Sequence, residues 1–127
     1  VCNILFTKEL SRRMERKGVS NFYANCNHPG AVSSDLFRHL YNSEGVIMGW
    51  LHRLLFISTE DGALTQLYLA TSPEVEEKEV KGQYYVPIAV PSQPKAIAMS
   101  EETALELWDF TENLIKEKVP DYKGAHI

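Results

Sequence analysis

A chain of 127 residues, 44% hydrophobic and 24% charged, has the size and composition of one soluble globular domain, which excludes a disordered or fibrous segment. A net charge of -4 and a pI near 5.5 leave no broad basic field for nucleic-acid phosphates, because the lysines and arginines are scattered among acids. Cys2, Cys26 and the four histidines lie at no metal-ligand spacing, so no metal site is expected and both thiols read as buried in a reducing compartment.

No apolar run approaches the ~20 residues that span a bilayer, and the first residues lack the order of a signal peptide. A cytoplasmic location is expected, with membrane-surface association as the alternative. The chain begins at Val1 inside a helical pattern with no capping residue ahead of it, so it reads as part of a longer domain.

In chain order, Val1, Ile4, Leu5, Leu10 and Met14, separated by charged residues and widened by Phe6, predict an amphipathic helix over 1–17 that Gly18 ends. Phe22 to Asn27 alternates as a short strand and runs into His28-Pro29-Gly30. Leu36 to Gly45 reads as a short helix or cover, and Ile47, Trp50, Leu51, Leu54 and Leu55 lie on one helical stripe. Ser58 with Asp61 resembles a capping box opening a helix that uses Ala63, Leu64, Leu67, Tyr68 and Ala70 and stops at Ser72-Pro73.

Glu74 to Lys81 reads as a charged surface loop, and Gly82 to Val86 as a second strand closed by Pro87. Ile88 to Met99, with Pro91 and Pro94, predicts an extended excursion. Ser100 caps a last helix whose buried stripe is Ala104, Leu107, Trp108, Thr111, Leu114 and Ile115. No repeat or linker divides the chain, so residues 1–127 are expected to form one partial α/β domain of about two strands and four to five helices.

The stretch His28-Pro29-Gly30-Ala31-Val32-Ser33-Ser34-Asp35 carries two readings. In one, Pro-Gly makes an ordinary turn and Ser34 or Asp35 caps the next helix. In the other, it is a loop at the carboxyl end of a parallel strand, where Gly lets the backbone approach a flat ligand and the amides near Val32 and the hydroxyls of Ser33 and Ser34 bind a carboxamide or phosphate.

Asn3 to Leu10, His28-Pro29-Gly30-Ala31-Val32 with Ser34, Glu60-Asp61-Gly62-Ala63 through Leu69-Ala70-Thr71-Ser72-Pro73, and Gly82-Gln83-Tyr84-Tyr85 together resemble the C-terminal half of a short-chain dehydrogenase/reductase. The likeness is to the retinol-dehydrogenase-like and WW-domain-oxidoreductase-like branch, including its fungal members, and covers nearly the whole chain in order. It implies the C-terminal part of a Rossmann-type doubly wound parallel sheet whose N-terminal cofactor half is absent. It further implies that Pro29, Gly30, Val32 and Ser34 contact the nicotinamide end of NAD or NADP, with Val32 giving its backbone to the carboxamide. A lid-like segment, 35–57, is implied to place Leu36, Phe37, Leu40, Met48, Trp50 and Leu51 against an apolar alcohol, aldehyde or ketone; the same stripe also suits packing on the sheet.

The family's Gly-rich turn, Asn-Ala-Gly segment, catalytic Ser and Tyr-x-x-x-Lys pair are missing from this chain, and by register the Lys would stand immediately before Val1. None of Tyr23, Tyr41, Tyr68, Tyr84, Tyr85 and Tyr122 has a Lys four residues later. Hydride exchange with a carbonyl needs a proton-moving group and a held cofactor, so this chain alone is expected to bind no cofactor and to be inactive, with no catalytic residue of its own. The histidines read as structural or, for His39 and His52, as the mouth of a substrate site. Two functions follow: part of an NAD(P)-dependent oxidoreductase, with a second copy or a complementing N-terminal half as partner, or a catalytically dead interaction module. Trp50 to Phe56 with Arg53 offers only a weak membrane-surface helix.

Overall fold

The computed structural model describes residues 1–33 and 56–127. The short helix expected at 36–45, the helical stripe at 47–55 and nearly all of the lid-like segment lie outside the described residues. The chain divides into two compact units, one formed by Val1–Cys26, Pro73–Tyr84 and Ser92–Ile127, the other by the described residues of Asn27–Ser72 with Tyr85–Pro91.

In the first unit α1 runs over Cys2–Arg16. Gly18, at φ 74°, ends it: the Gly18 N–H donates to Glu15 O and the Val19 N–H to Met14 O, the paired bonds of a Schellman stop. Leu5 is buried as the periodicity requires, but so is Glu9, at 1% exposure. Its carboxylate accepts from Arg12 at 3.1 Å, Arg13 at 2.7 Å and Arg16 at 3.1 Å, partners three, four and seven residues on. Arg12 also reaches Glu101, tying α1 to the start of the last helix.

That helix, α4 (Glu101–Lys118), starts at Ser100, whose Oγ accepts the Thr103 N–H at 3.2 Å. Such a cap contributes about 1 kcal/mol. Ala104 and Trp108 are buried against α1, and the Trp108 ring stacks on Phe6 at 5.4 Å, nearly parallel. Leu114 departs from the expected stripe: it is 42% exposed, because packing on α1 closes a narrower strip than the periodicity offers.

The stretch expected as a charged loop opens instead with one helical turn, α3 (Pro73–Glu77). Pro73 suits a first helical position, and Val75 and Val80, both 5% exposed, anchor the turn inward. Asn25 braces the next segment by donating to Val80 O at 2.6 Å and accepting the Gln83 N–H at 3.0 Å.

Three short strands form the sheet in the order β1 (Cys26–Asn27), β2 (Tyr84–Val86), β3 (Val90–Pro91). The Cys26 N–H donates to Gln83 O and the His28 N–H to Tyr85 O, so the bonds climb both strands in the same sense and the pair is parallel. Strand β3 returns antiparallel, with Tyr85 opposite Pro91 and Val86 opposite Val90. The mixed sheet with helices makes the described residues α/β. The excursion expected after Val86 is thus partly a hairpin, followed by a 3-10 turn at Ala96–Met99 that buries Ala98.

In the second unit α2 spans Thr59–Thr71, and Ser58 Oγ accepts the Asp61 N–H at 3.0 Å, as the capping pattern predicts. The buried positions are Gly62 and Thr65, whereas Leu64 and Leu67 are 41% and 54% exposed. The face was set by a neighbouring loop rather than by the apolar count. Thr65 Oγ1 accepts the Ala89 N–H at 3.1 Å and so holds the reversal between β2 and β3, where Ala89 has φ 53°.

The thiols also differ from expectation: Cys2 is exposed, and Cys26 is half-buried. Burial pushes the Cys26 thiol above its ordinary range.

Candidate functional site

The loop after β1 is built from within. His28 Nδ1 accepts the Gly30 N–H at 2.9 Å, which folds the imidazole back over the turn and leaves the histidine a shaping role. Gly30 sits at φ 83°, where L side chains are strained. A Cβ there would come within 2.9 Å of Pro87 Cγ and 3.3 Å of Ile57 Cδ1. Glycine is therefore required twice, by conformation and by space.

Beyond it, Val32 forms a parallel bridge with Ile57. The Ile57 N–H donates to Ala31 O and Ile57 O accepts the Ser33 N–H, both at 2.9 Å. In a parallel bridge the residue flanked by those bonds turns its own N–H and C=O the other way. Among the described residues neither backbone group of Val32 has a hydrogen-bond partner, so a donor and an acceptor stand side by side on the outer edge of the loop. The Val32 side chain is held from α2: a Cβ on Gly62 would lie 2.6 Å from Val32 Cγ2, so only glycine lets the first turn of the helix come this close.

Two further features belong to this neighbourhood. Tyr68 of α2 packs on the buried Tyr85 at 6.1 Å between ring centres. The Nδ2 of Asn27, one residue before His28, is buried without an acceptor among the described residues.

Of the residues expected to meet cofactor, Pro29, Gly30 and Val32 lie on this one hydrogen-bonded loop. Ser34, and the expected substrate residues Leu36, Phe37, Leu40, Met48, Trp50 and Leu51, lie outside the described residues. Sequence reasoning missed Ile57, Gly62 and Pro87 as supports of the loop. Gly62 carried a signal, a glycine in the first turn of a well-capped helix where alanine is favoured by about 1 kcal/mol.

Among the described residues no three of His, Cys, Asp and Glu gather as a metal set, and no helix is long and apolar enough to cross a membrane. Tyr122 carries a perturbed phenol. Its hydroxyl donates to Glu112 at 2.8 Å, and that carboxylate raises the phenol above its ordinary range, the reverse of what a proton-abstracting tyrosine needs.

The chain is homologous to short-chain dehydrogenases and oxidoreductases, retinol dehydrogenases among them. It is 34% identical over 131 residues to the WW domain-containing oxidoreductase of Homo sapiens, an alignment covering 98% of this chain and 28% of that protein. It is 38% identical over 121 residues to retinol dehydrogenase 14 of Homo sapiens, covering 91% and 33%. It is 33% identical over 119 residues to the short-chain dehydrogenase TIC 32 A, chloroplastic, of Brassica napus, covering 91% and 35%. The chain therefore spans about a third of the length of the curated relatives it matches. No family model matches it, and no solved structure matches it.

Proposed function

We propose that residues 1–127 are the C-terminal portion of one nucleotide-binding domain of an NAD(P)-dependent short-chain oxidoreductase that interconverts an apolar alcohol and its aldehyde or ketone. In this reading Pro29, Gly30, Val32 and Ser34 form the nicotinamide-side wall, and 35–57 is a lid whose Leu36, Phe37, Leu40, Met48, Trp50 and Leu51 meet the substrate. The observation that carries it is the pair of backbone groups on Val32 that find no partner among the described residues, on a residue held by Ile57 and Gly62. A carboxamide presents one acceptor and one donor group, which matches an N–H and a C=O on the same residue.

Gly30 supports that placement from behind: without a Cβ it lets Pro87 and Ile57 close on the loop, and its positive φ sets the turn that carries Pro29 and Val32. When bound, the nicotinamide supplies the hydride. What this chain supplies is orientation: Val32 fixes the carboxamide, His28 fixes the turn that carries it, and the lid excludes water. Proton transfer and pyrophosphate binding belong to sequence outside residues 1–127.

The test is made on the intact gene product. Its sequence ahead of Val1 should carry Tyr-x-x-x-Lys ending at the preceding residue and a Gly-rich turn, and the purified protein should reduce a long-chain aldehyde with NADH or NADPH. Val32→Pro, which deletes the amide donor while sparing the bonds of Ala31 and Ser33, should weaken nicotinamide binding about tenfold, the loss of one good hydrogen bond. Unchanged cofactor affinity in that variant would remove the assignment of the loop.

A second reading, a non-catalytic interaction module, is favoured by the exposed Leu67 and Phe110, at 54% and 65%. It predicts that the 127-residue chain self-associates, and a monomer at all concentrations in sedimentation equilibrium would dismiss it.

A further inference from the structure

The first unit contains a half-open cavity of about 230 Å³ lined by Phe6, Leu10, Trp108, Thr111, Glu112, Ile115, Tyr122, Ala125 and Ile127. Trp108 forms its best-buried wall, at 6% exposure, clamped by Phe6 on one face and by the Arg13 guanidinium 4.4 Å from the ring centre. The segment 119–127 crosses it. Tyr122 OH and the Ala125 N–H both donate to Glu112 Oε1, at 2.8 and 3.1 Å; Arg13 donates to Ile127 O at 3.3 Å, and the Lys17 ammonium donates to His126 O.

The polar groups of the lining are already spent. The Thr111 hydroxyl donates to Leu107 O at 2.7 Å, Tyr122 is given to Glu112, and the second Glu112 oxygen faces Lys116 at 4.0 Å. A polar ligand would find little to bond and would lose its own hydration. An apolar one takes the apolar walls out of water. The volume is half as large again as the roughly 150 Å³ that holds one benzene ring.

We propose that this cavity is a binding site for one neutral, apolar molecule of one or two rings, strapped in by the 119–127 segment. The site is separate from the nicotinamide-side loop in residues and in chemistry, so it stands or falls independently of that reading.

Toluene is the probe. Added at millimolar concentration to the ¹⁵N-labelled intact gene product, it should give saturable shifts confined to the Trp108 indole N–H and the amides of Thr111, Tyr122 and Ala125, and raise Tm by a few degrees. Ala125→Leu, which adds three carbons to the lining, should abolish those shifts. Xenon under pressure provides a second reading on the unmutated chain, through a saturable ¹²⁹Xe shift. Non-saturating shifts, shifts spread over exposed residues such as Leu67 and Phe110, or persistence in a folded Ala125→Leu chain would overturn the proposal. So would shifts of the same four residues that grow with protein concentration without toluene, because a side chain of a second copy would then be the occupant.

Discussion

The contact between Gly62 and Val32 can be tested by adding one methyl group. Alanine at position 62 gains about 1 kcal/mol of helix propensity but sets its Cβ 2.6 Å from Val32 Cγ2, and forcing such an overlap costs about 1–3 kcal/mol. Gly62→Ala is therefore expected to lower stability by about 1 kcal/mol net, read as a lower urea midpoint at unchanged slope. Combining it with Val32→Ala, which vacates the space, should return the stabilising propensity, so a double-mutant cycle gives a coupling of opposite sign to the single loss. A Gly62→Ala chain as stable as the parent, with no coupling, would show that α2 does not press on the loop. Gly30 was readable from its place between Pro29 and a run of small residues. Gly62 was not, since what it accommodates comes from thirty residues earlier in the chain. Glu9 is the converse case: Arg12, Arg13 and Arg16 stand at spacings that a helix brings to one point, yet a charged residue in an amphipathic pattern reads as solvent-facing until its burial is seen.

At the scale of elements, what depends on neighbours in sequence was legible and what depends on neighbours in space was not. Ser58 and Ser100 cap their helices through the third residue on, and Gly18 stops α1 through bonds of the same turn. The buried faces of α2 and α4 deviate at Leu64, Leu67 and Leu114, because those faces are chosen by what packs on them. The 119–127 segment was assigned no structure at all; its order comes from Glu112, a single carboxylate receiving two donors, and from Arg13 and Lys17, which donate to Ile127 O and His126 O. Hydrogen bonding from Tyr122 holds the Glu112 carboxyl below its usual range. A carboxylate depressed in the folded state stabilises above its unfolded pKa and loses that contribution as pH falls through the lower, folded value. The phenol behaves in the opposite sense, raised by the carboxylate, so its contribution is present below the ordinary tyrosine range and fades as pH climbs through the raised value. The strap is thus expected to be closed across neutral pH and to loosen at both extremes. In a ¹³C titration, Tyr122→Phe should move the Glu112 carboxyl upward toward the ordinary glutamate value; an unmoved titration would mean the hydrogen bond does not form in solution.

At the scale of the whole molecule, the sheet is the limiting element. Its strands are two or three residues long, β1 is bonded on one side among the described residues, and strands of this length do not stabilise a fold without further partners. Apolar side chains that remain open, Phe110 at 65% and Leu67 at 54% among them, are what a surface looks like when the chain spans about a third of its relatives' length. Chemistry is limited in the same way. Val32 can orient a carboxamide, yet one donor and one acceptor cannot hold a dinucleotide whose pyrophosphate finds no glycine-rich turn here, and no tyrosine of the chain stands four residues ahead of a lysine that would lower its pKa. The purified 127-residue chain is therefore expected to show no aldehyde-dependent oxidation of NADH or NADPH above a buffer blank, while binding an environment-sensitive hydrophobic dye. Turnover by this chain alone would mean that a proton donor is supplied from residues given no such role here. Absence of both turnover and dye binding would mean that the open apolar faces close on each other, and the chain is then a self-sufficient fold rather than a portion of a larger one.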